Sequence, residues 1–363
     1  MSALFKIWNS IQRTLFPVLE EEMGPLLDKH QELVRVVELA DVGRFVGPYG
    51  SKLRGRKRKE RLSLAVAFIA KAIGNLPTTG ALIDLLRVDR VLRRLCGWEH
   101  AADVPSESTF SRAFAEFALG ELPQRIHAAM IQTQCAAKLA GHVSRDATAI
   151  EGREKPVKKK AKVQPKHRRG RPRKGEVREE KPLKRLELQP KRSLEDNLAD
   201  LPRACDVGCK IDSKGNKTYW IGYKLHLDWI DGGIPVSAVL SSASMHDSQA
   251  AIALAQMTSE RIVNLYDLMD AAYDAPAIRL FSEALGHVPL IDSNPRRGEK
   301  RPMDPARRQR FKERSTAERG NSDLKDNYGG RFVRVRGAAK VMAHLSFGLI
   351  ALSAARLFGM VVT

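Results

Sequence analysis

Between residues 217 and 230 the chain alternates, with Tyr219, Ile221, Tyr223, Leu225 and Leu227 at every second position, which is the period of a strand that buries one face. Asp231, Gly232 and Gly233 supply a hairpin turn into a second β-prone run at 234–240. A shorter β-prone run, 142–150, precedes both. After them the periods alternate: helix at 247–257, strand at 262–269, helix at 276–285, strand at 288–291, then helices at 305–328 and 338–359. Three strands, an alternation of helix and strand, and two closing helices predict an α/β fold, a mixed sheet flanked by helices.

Residues 1–140 are of another kind. Leu62, Val66, Ile69, Ile73 and Leu76 recur at helical spacing, as do Leu82, Leu85, Leu86, Val91, Leu92 and Leu95, with Gly97 placed to end that helix. Ser106 is placed to cap a further helix that turns Phe110, Phe114 and Phe117 inward. The expected organisation is an all-helical N-terminal domain, 1–140, followed by an α/β domain, 141–363. The terminal apolar stretch 341–355 contains His344 and stops at Arg356. A membrane span needs about 20 apolar residues, so this stretch predicts a buried helix.

The chain carries 62 Lys+Arg against 42 Asp+Glu, a net charge of +20, and such an excess attracts polyanions. Residues 153–174 hold 12 of those cations and one Glu, but +9 remains elsewhere, so the basic character is not confined to one segment. Glu151 to about residue 202 is Lys/Arg/Pro-rich and almost free of aromatic residues, which predicts a basic, largely flexible insert within the α/β domain. Inside it Arg169, Gly170, Arg171 and Pro172 resemble the core of an AT-hook, whose extended backbone lies in the narrow minor groove of A·T-rich DNA. Cys96, Cys135, Cys205 and Cys209 come without a secretory signal, which favours reduced thiols and a cytoplasmic, nucleoid-associated protein. Cys205 and Cys209 would make half a zinc site, but no second close pair completes it.

Three acids stand in distinct contexts: Asp146 in the first strand, Asp270 at the end of the fourth, and Glu318 in the 305–328 helix. At 100° per residue Phe311, Arg314, Glu318 and Lys325 fall at about +60°, 0°, +40° and +20°, so one helix face carries a ring, a carboxylate and two cations. That spacing resembles the Tyr-Arg-Glu-Lys signature of DDE transposases from bacterial insertion sequences, with Phe311 where that family has Tyr. Asp270, followed by Ala271, Ala272, Tyr273 and Asp274, is similar to the family's Asp-x-Gly-Tyr-Asp, with Ala272 in place of Gly. The resemblance runs from about residue 60 to the end, interrupted by the insert.

The resemblance implies an RNase H-like catalytic core, in agreement with the order of elements, and an N-terminal domain that grips transposon ends. It implies that Asp146, Asp270 and Glu318 hold two Mg²⁺ ions, which Mn²⁺ can replace, and that Arg314 and Lys325 bind phosphates near the cleaved end. Phe311 keeps the packing of a Tyr but not its hydroxyl. Arg112, on the Ser106 helix, and Lys224 are further candidate DNA contacts. Double-stranded DNA, as terminal inverted repeats and target, is the expected partner, with a homodimer assembled on it and no membrane. Among rival acids, Asp267 points to the opposite strand face from Asp270, Asp274 is expected to cap the next helix, and Asp206 and Asp247 flank the early strands. His226 and His246 are expected to serve packing or hydrogen bonding. Two rival readings are another RNase H-like metal nuclease and a non-enzymatic DNA-binding protein of AT-hook type. No phosphate loop, nucleophile elbow or zinc cluster supports a kinase, hydrolase or zinc-finger reading.

Overall fold

The computed structural model describes residues 3–46, 60–158, 183–211, 214–295, 299 and 302–362. Helices α1 (Ala3–Ser10), α2 (Phe16–Met23), α3 (Asp28–Ala40), α4 (Val42–Phe45), α5 (Arg61–Ile73), α6 (Thr79–Val88), α7 (Arg90–Leu95), α8 (Glu107–Leu119) and α9 (Leu122–Cys135) precede the first strand. Strand β1 (Leu139–Glu151) is followed by α10 (Arg185–Leu188), α11 (Leu194–Asp200), β2 (Asp206–Ile211), β3 (Lys217–Ile230) and β4 (Ile234–Ser242). Then come α12 (Ala251–Ser259), β5 (Val263–Met269), α13 (Pro276–Ala284), β6 (Val288–Ile291), α14 (Pro305–Phe311), α15 (Ser315–Asn327) and α16 (Ala338–Val362).

The long strand β3 organises the sheet. It pairs antiparallel with β1 along one edge; along the other, β2 takes its first half and β4 its second. Strands β5 and β6 continue beyond β1 in parallel. This mixed six-stranded sheet, flanked by helices and preceded by a helical region, has the RNase H-like arrangement. Gly222 stands where β3 changes partner. Its φ is +153° and a Cβ there would collide with the Ile150 carbonyl, so only glycine permits the crossing.

Helix α16 is apolar on every side, which marks a helix buried all round. The stretch Ala338–Val361 is long and apolar enough to cross a membrane, yet 78% of its window is buried inside the molecule. Its neighbours are α3, α5, α8, α9 and β4. Phe347 lies 5.6 Å from the Phe68 ring, which also meets Phe110 at 5.7 Å and Phe114 at 4.9 Å. One apolar core therefore joins the N-terminal helices to the far end of the chain. A second core lies between one sheet face and α15 and α16, with Tyr223, Leu225, Leu227 and Trp229 against Ala317, Leu324 and Leu345. On the opposite face the Arg145 guanidinium pairs with Asp228 at 2.8 and 2.7 Å, both side chains being almost wholly buried, and Thr258 donates to the same carboxylate at 2.6 Å.

Several expectations change. The single helix expected over 305–328 is broken by a 3₁₀ turn at Lys312–Arg314, which tightens the winding ahead of α15. Strand β2 was not anticipated. Residues 183–202, expected to be part of a flexible insert, form α10, which meets α13, and α11, which packs against α12. Asn197 is fully buried there, donating to the Gln189 carbonyl and the Gln256 side chain at 2.9 Å each. The start of the insert is also anchored: the Glu154 carboxylate accepts from the Tyr223 hydroxyl at 2.6 Å and the Gly337 amide at 2.7 Å. Arg169, Gly170, Arg171 and Pro172 lie outside the described residues. Asp274 does not cap α13; it accepts from Arg279 at 2.8 Å and from the Asn294 amide at 2.9 Å. Ser106 holds the N-cap position of α8, but its hydroxyl meets those of Ser108 and Thr109 rather than a backbone amide.

Candidate active site

The parallel pairing of β1 with β5 ends at Arg145 opposite Met269. The next residue on each strand is an acid, so Asp146 and Asp270 stand level on neighbouring strands, which run about 4.8 Å apart. Asp270 also caps the 3₁₀ turn Ala271–Tyr273, accepting from the Ala272 amide at 2.9 Å. Burial pushes the Asp146 pKa up to about 6; Arg314 opposes the rise, while Asp270 and Asp247 add to it. Asp270 is raised by burial too, with the Ala272 amide and Arg314 holding it back. Negative charge is thus crowded at this edge of the sheet.

Helix α15 brings the third acid. Gly320 lies flat on the Trp229 ring, where any Cβ would collide, so the helix sits close enough for Asn321 to reach β1. The Asn321 amide donates to Asp146 Oδ2 at 3.0 Å, and Asn321 is buried. Its own oxygen has no hydrogen-bond partner among the described residues. Three residues earlier on the same face, Glu318 is 59% exposed and accepts from Arg314 Nη2 at 2.6 Å. The other guanidinium nitrogen, Nη1, lies 4.0 Å from Asp146 Oδ1, so Arg314 spans two of the expected acids. Phe311 packs under it, its ring centre 5.9 Å from the guanidinium carbon.

Lys325 is half-buried two turns beyond Glu318. Burial lowers its pKa, and its charged neighbours are Arg331, Lys210, Asp326 and Glu151 rather than the acid cluster. Lys224 donates to Asp247 at 2.8 Å and to the Met245 carbonyl at 3.0 Å. Arg112 is exposed on α8, with Nε on the Ser108 carbonyl at 3.2 Å. Asp267 is buried on the opposite strand face, beside His287 and Ser282. His226, pushed down to about 4 by burial, bonds the Ser241 hydroxyl at 2.7 Å. His246 bonds the Ser248 hydroxyl at 2.8 Å. All four cysteines are free, and Cys205 and Cys209 differ in exposure, the first buried and the second not.

Three groups at the site escaped sequence reasoning. Asn321 is one. Asp247, weighed only as a competitor, is close enough to perturb Asp146 and Asp270. The Tyr273 hydroxyl is buried without a hydrogen-bond partner among the described residues, and burial, together with Asp247, Asp146 and Asp270, raises its pKa well above the usual value. Only Tyr273 had a legible signal, its place in the run that follows Asp270.

Among the described residues no group of three His, Cys, Asp or Glu side chains is gathered tightly enough to hold a metal ion, and Glu318 is paired with Arg314. Asp146 and Asp270 do suit a hard divalent cation: carboxylate oxygens are its preferred donors, and their raised proton affinity marks charge that a cation would relieve.

A family model described as "Transposase DDE domain" matches residues 203–354, the stretch that contributes Asp270, Arg314, Glu318 and Asn321. A second, "Transposase domain (DUF772)", matches residues 21–116 among the N-terminal helices. No curated protein and no solved structure matches the chain.

Proposed function

We propose that this chain, which belongs to the DDE transposases of insertion sequences, binds the terminal inverted repeats of its element, hydrolyses a strand at each end, and joins the freed 3′-hydroxyl to target DNA. The observation that carries the reading is the pairing of level acids, Asp146 and Asp270, with a helix that presents Arg314, Glu318 and Asn321 to them. Such an acid cluster, basic around its rim, suits in-line attack on phosphorus, where charge grows on the entering and the leaving oxygen.

Asp146, Asp270 and Glu318 would hold Mg²⁺, which when bound activates the attacking oxygen and stabilises the departing one. The chain's own groups prepare the rest. Asn321 fixes the orientation of the Asp146 carboxylate, and Gly320 sets the depth of α15. Arg314 is the natural first contact for a phosphate, since a guanidinium binds the two non-bridging oxygens of a phosphodiester monoanion in bidentate fashion. A phosphate on Arg314 releases Glu318 to turn toward Asp146, a side-chain rotation that leaves the helix where it is. Lys325 and Lys224 serve as backbone contacts farther along the strand. Two ends must be joined, so a homodimer on DNA is part of the reading.

The test is cleavage of a duplex ending in the element's inverted repeat, with Mg²⁺, followed by strand transfer into a plasmid. Asp270→Ala should lower cleavage by more than about a thousandfold, or about 4 kcal/mol of barrier, while leaving DNA binding in place. Cleavage at the parent rate by Asp270→Ala would defeat the assignment. Hydrolysis without strand transfer would turn the reading toward a plain nuclease.

A further inference from the structure

Away from the acids, where α5, α6 and α8 meet the segment leading into α16, lies a cavity of about 310 Å³ walled by Lys71, Arg334, Arg336 and Lys340, with Glu107 as its one acid. These cations come from α5, from the connection after α15 and from the first turn of α16, so tertiary structure, not a basic run, gathers them. Arg334 and Arg336 are exposed. Among the described residues neither they nor Lys340 forms an ion pair, whereas neighbouring Arg331 is taken by Asp326. With no such partner of their own, Arg334, Arg336 and Lys340 are available to an anion from outside the chain.

The other groups in the wall are donors suited to phosphate. Helix α6, ten residues long, begins at the cavity with Thr78 and Thr79. The Thr78 hydroxyl caps the Ala81 amide at 3.0 Å, and the amides of Thr79 and Gly80 belong to the helix's first turn, whose donors and dipole favour anions. Lys71 is held in place by the Leu76 carbonyl at 2.8 Å. His344, pushed down to about 4 by burial, adds no charge at neutral pH.

We infer that this cavity is a second DNA-backbone site, which takes phosphates of a duplex segment lying away from the reacting end. The inference rests on the transposase reading. It adds that Lys71, from the stretch matched by the N-terminal transposase domain, and Arg334, Arg336 and Lys340, from the stretch matched by the DDE domain, line one cavity, so a phosphate seated there would be held by both parts. The occupant is a polymer and not a free anion because Arg334 and Arg336 rim an open cavity instead of enclosing it.

The experiment is fluorescence anisotropy of the full chain in EDTA with a labelled duplex of about 30 base pairs, over roughly 0.05–0.2 M salt. R334Q/R336Q is compared with K6Q/R13Q, which removes the same formal charge from exposed positions outside the cavity. If both arginines contact phosphates, R334Q/R336Q weakens binding about tenfold at 0.1 M salt, and its log–log salt slope is shallower by about two, near one per lost contact. K6Q/R13Q should lose less than about threefold, since it alters only long-range attraction. Equal losses in the two variants, or parent-like binding by R334Q/R336Q, would overturn the site while leaving the transposase reading untouched. Binding of millimolar inorganic phosphate that is lost in R334Q/R336Q, while duplex binding by that variant stays at the parent level, would overturn the duplex site and make it a small-anion pocket. A parent chain that fails to bind duplex even at the lowest salt would remove both readings together.

Discussion

Asp146→Asn should inactivate the protein and stabilise it. In the metal-free chain the folded-state pKa of Asp146 is about 6 against an ordinary 3.8. The folded value lies above the unfolded one, so the native state binds the extra proton between them and stability falls as pH rises through that window. About two units at ~1.4 kcal/mol each give a penalty of about 3 kcal/mol, fully developed above about pH 7. Asparagine carries no charge and retains an oxygen for the Asn321 amide, so it escapes that penalty. With 363 residues, an unfolding entropy of roughly 0.8 kcal/mol/K converts ~3 kcal/mol into a rise of about 4 °C. At about pH 4.5 the parent is mostly protonated at this site and the gain shrinks to about 1 kcal/mol. The assay is calorimetric melting of both proteins in EDTA at the two pH values. Mg²⁺ is then added at the higher one, where it should raise the melting temperature of the parent and not of the variant. A variant that melts at or below the parent at about pH 7.5, or gains equally at both pH values, would refute the claim that buried, crowded charge is the defining property of Asp146.

Glu318→Gln should abolish cleavage yet change stability by less than about 1 kcal/mol, because it breaks only an exposed i,i+4 ion pair; denaturant titration beside the cleavage assay separates the two. Gly320→Ala forces a methyl into the Trp229 ring, so it should cost about 2–3 kcal/mol in urea unfolding and reduce cleavage by displacing Glu318 and Asn321 together. Arg145→Met leaves Asp228 charged and buried, a loss of about 3–5 kcal/mol that a second change, Asp228→Leu, should largely recover.

The sheet was legible because half-buried strands impose alternation. Tyr223, Leu225 and Leu227 face α15 and α16 just as their period requires. Strand β2 was not: only Asp206 and Gly208 are buried in it, and a short, exposed edge leaves no period to read. The burial of α16 followed from its composition, but its partners did not, because a helix apolar all round has no stripe to say which neighbours it meets. Asp146, Asp270, Glu318 and Arg314 were picked out by spacing and resemblance. Asn321 was overlooked since an asparagine inside a helix has no periodic signature, and its role appears only once Gly320 lets α15 approach β1. Asp247 reaches the site through the turn after β4, which sequence spacing does not encode.

The Arg314–Glu318 pair links substrate binding to metal binding. As an exposed i,i+4 pair it is worth only about 0.3–0.5 kcal/mol, so a phosphate displaces Glu318 from the guanidinium at little cost. The same guanidinium lies 4.0 Å from Asp146, where its positive charge opposes entry of a cation. A phosphate that neutralises Arg314 therefore frees one carboxylate and removes a repulsion from another, and DNA and Mg²⁺ should each tighten binding of the other by the same factor. Arg314→Gln removes the repulsion permanently. Calorimetric titration with Mg²⁺ should then show tighter metal binding in the DNA-free variant than in the DNA-free parent, and a smaller further gain when duplex is added. If the DNA-free variant bound Mg²⁺ no better than the parent, Arg314 would not be the coupling element, and Glu318 would have to reach the site by movement of α15 itself, against the fixed contact of Gly320 with Trp229.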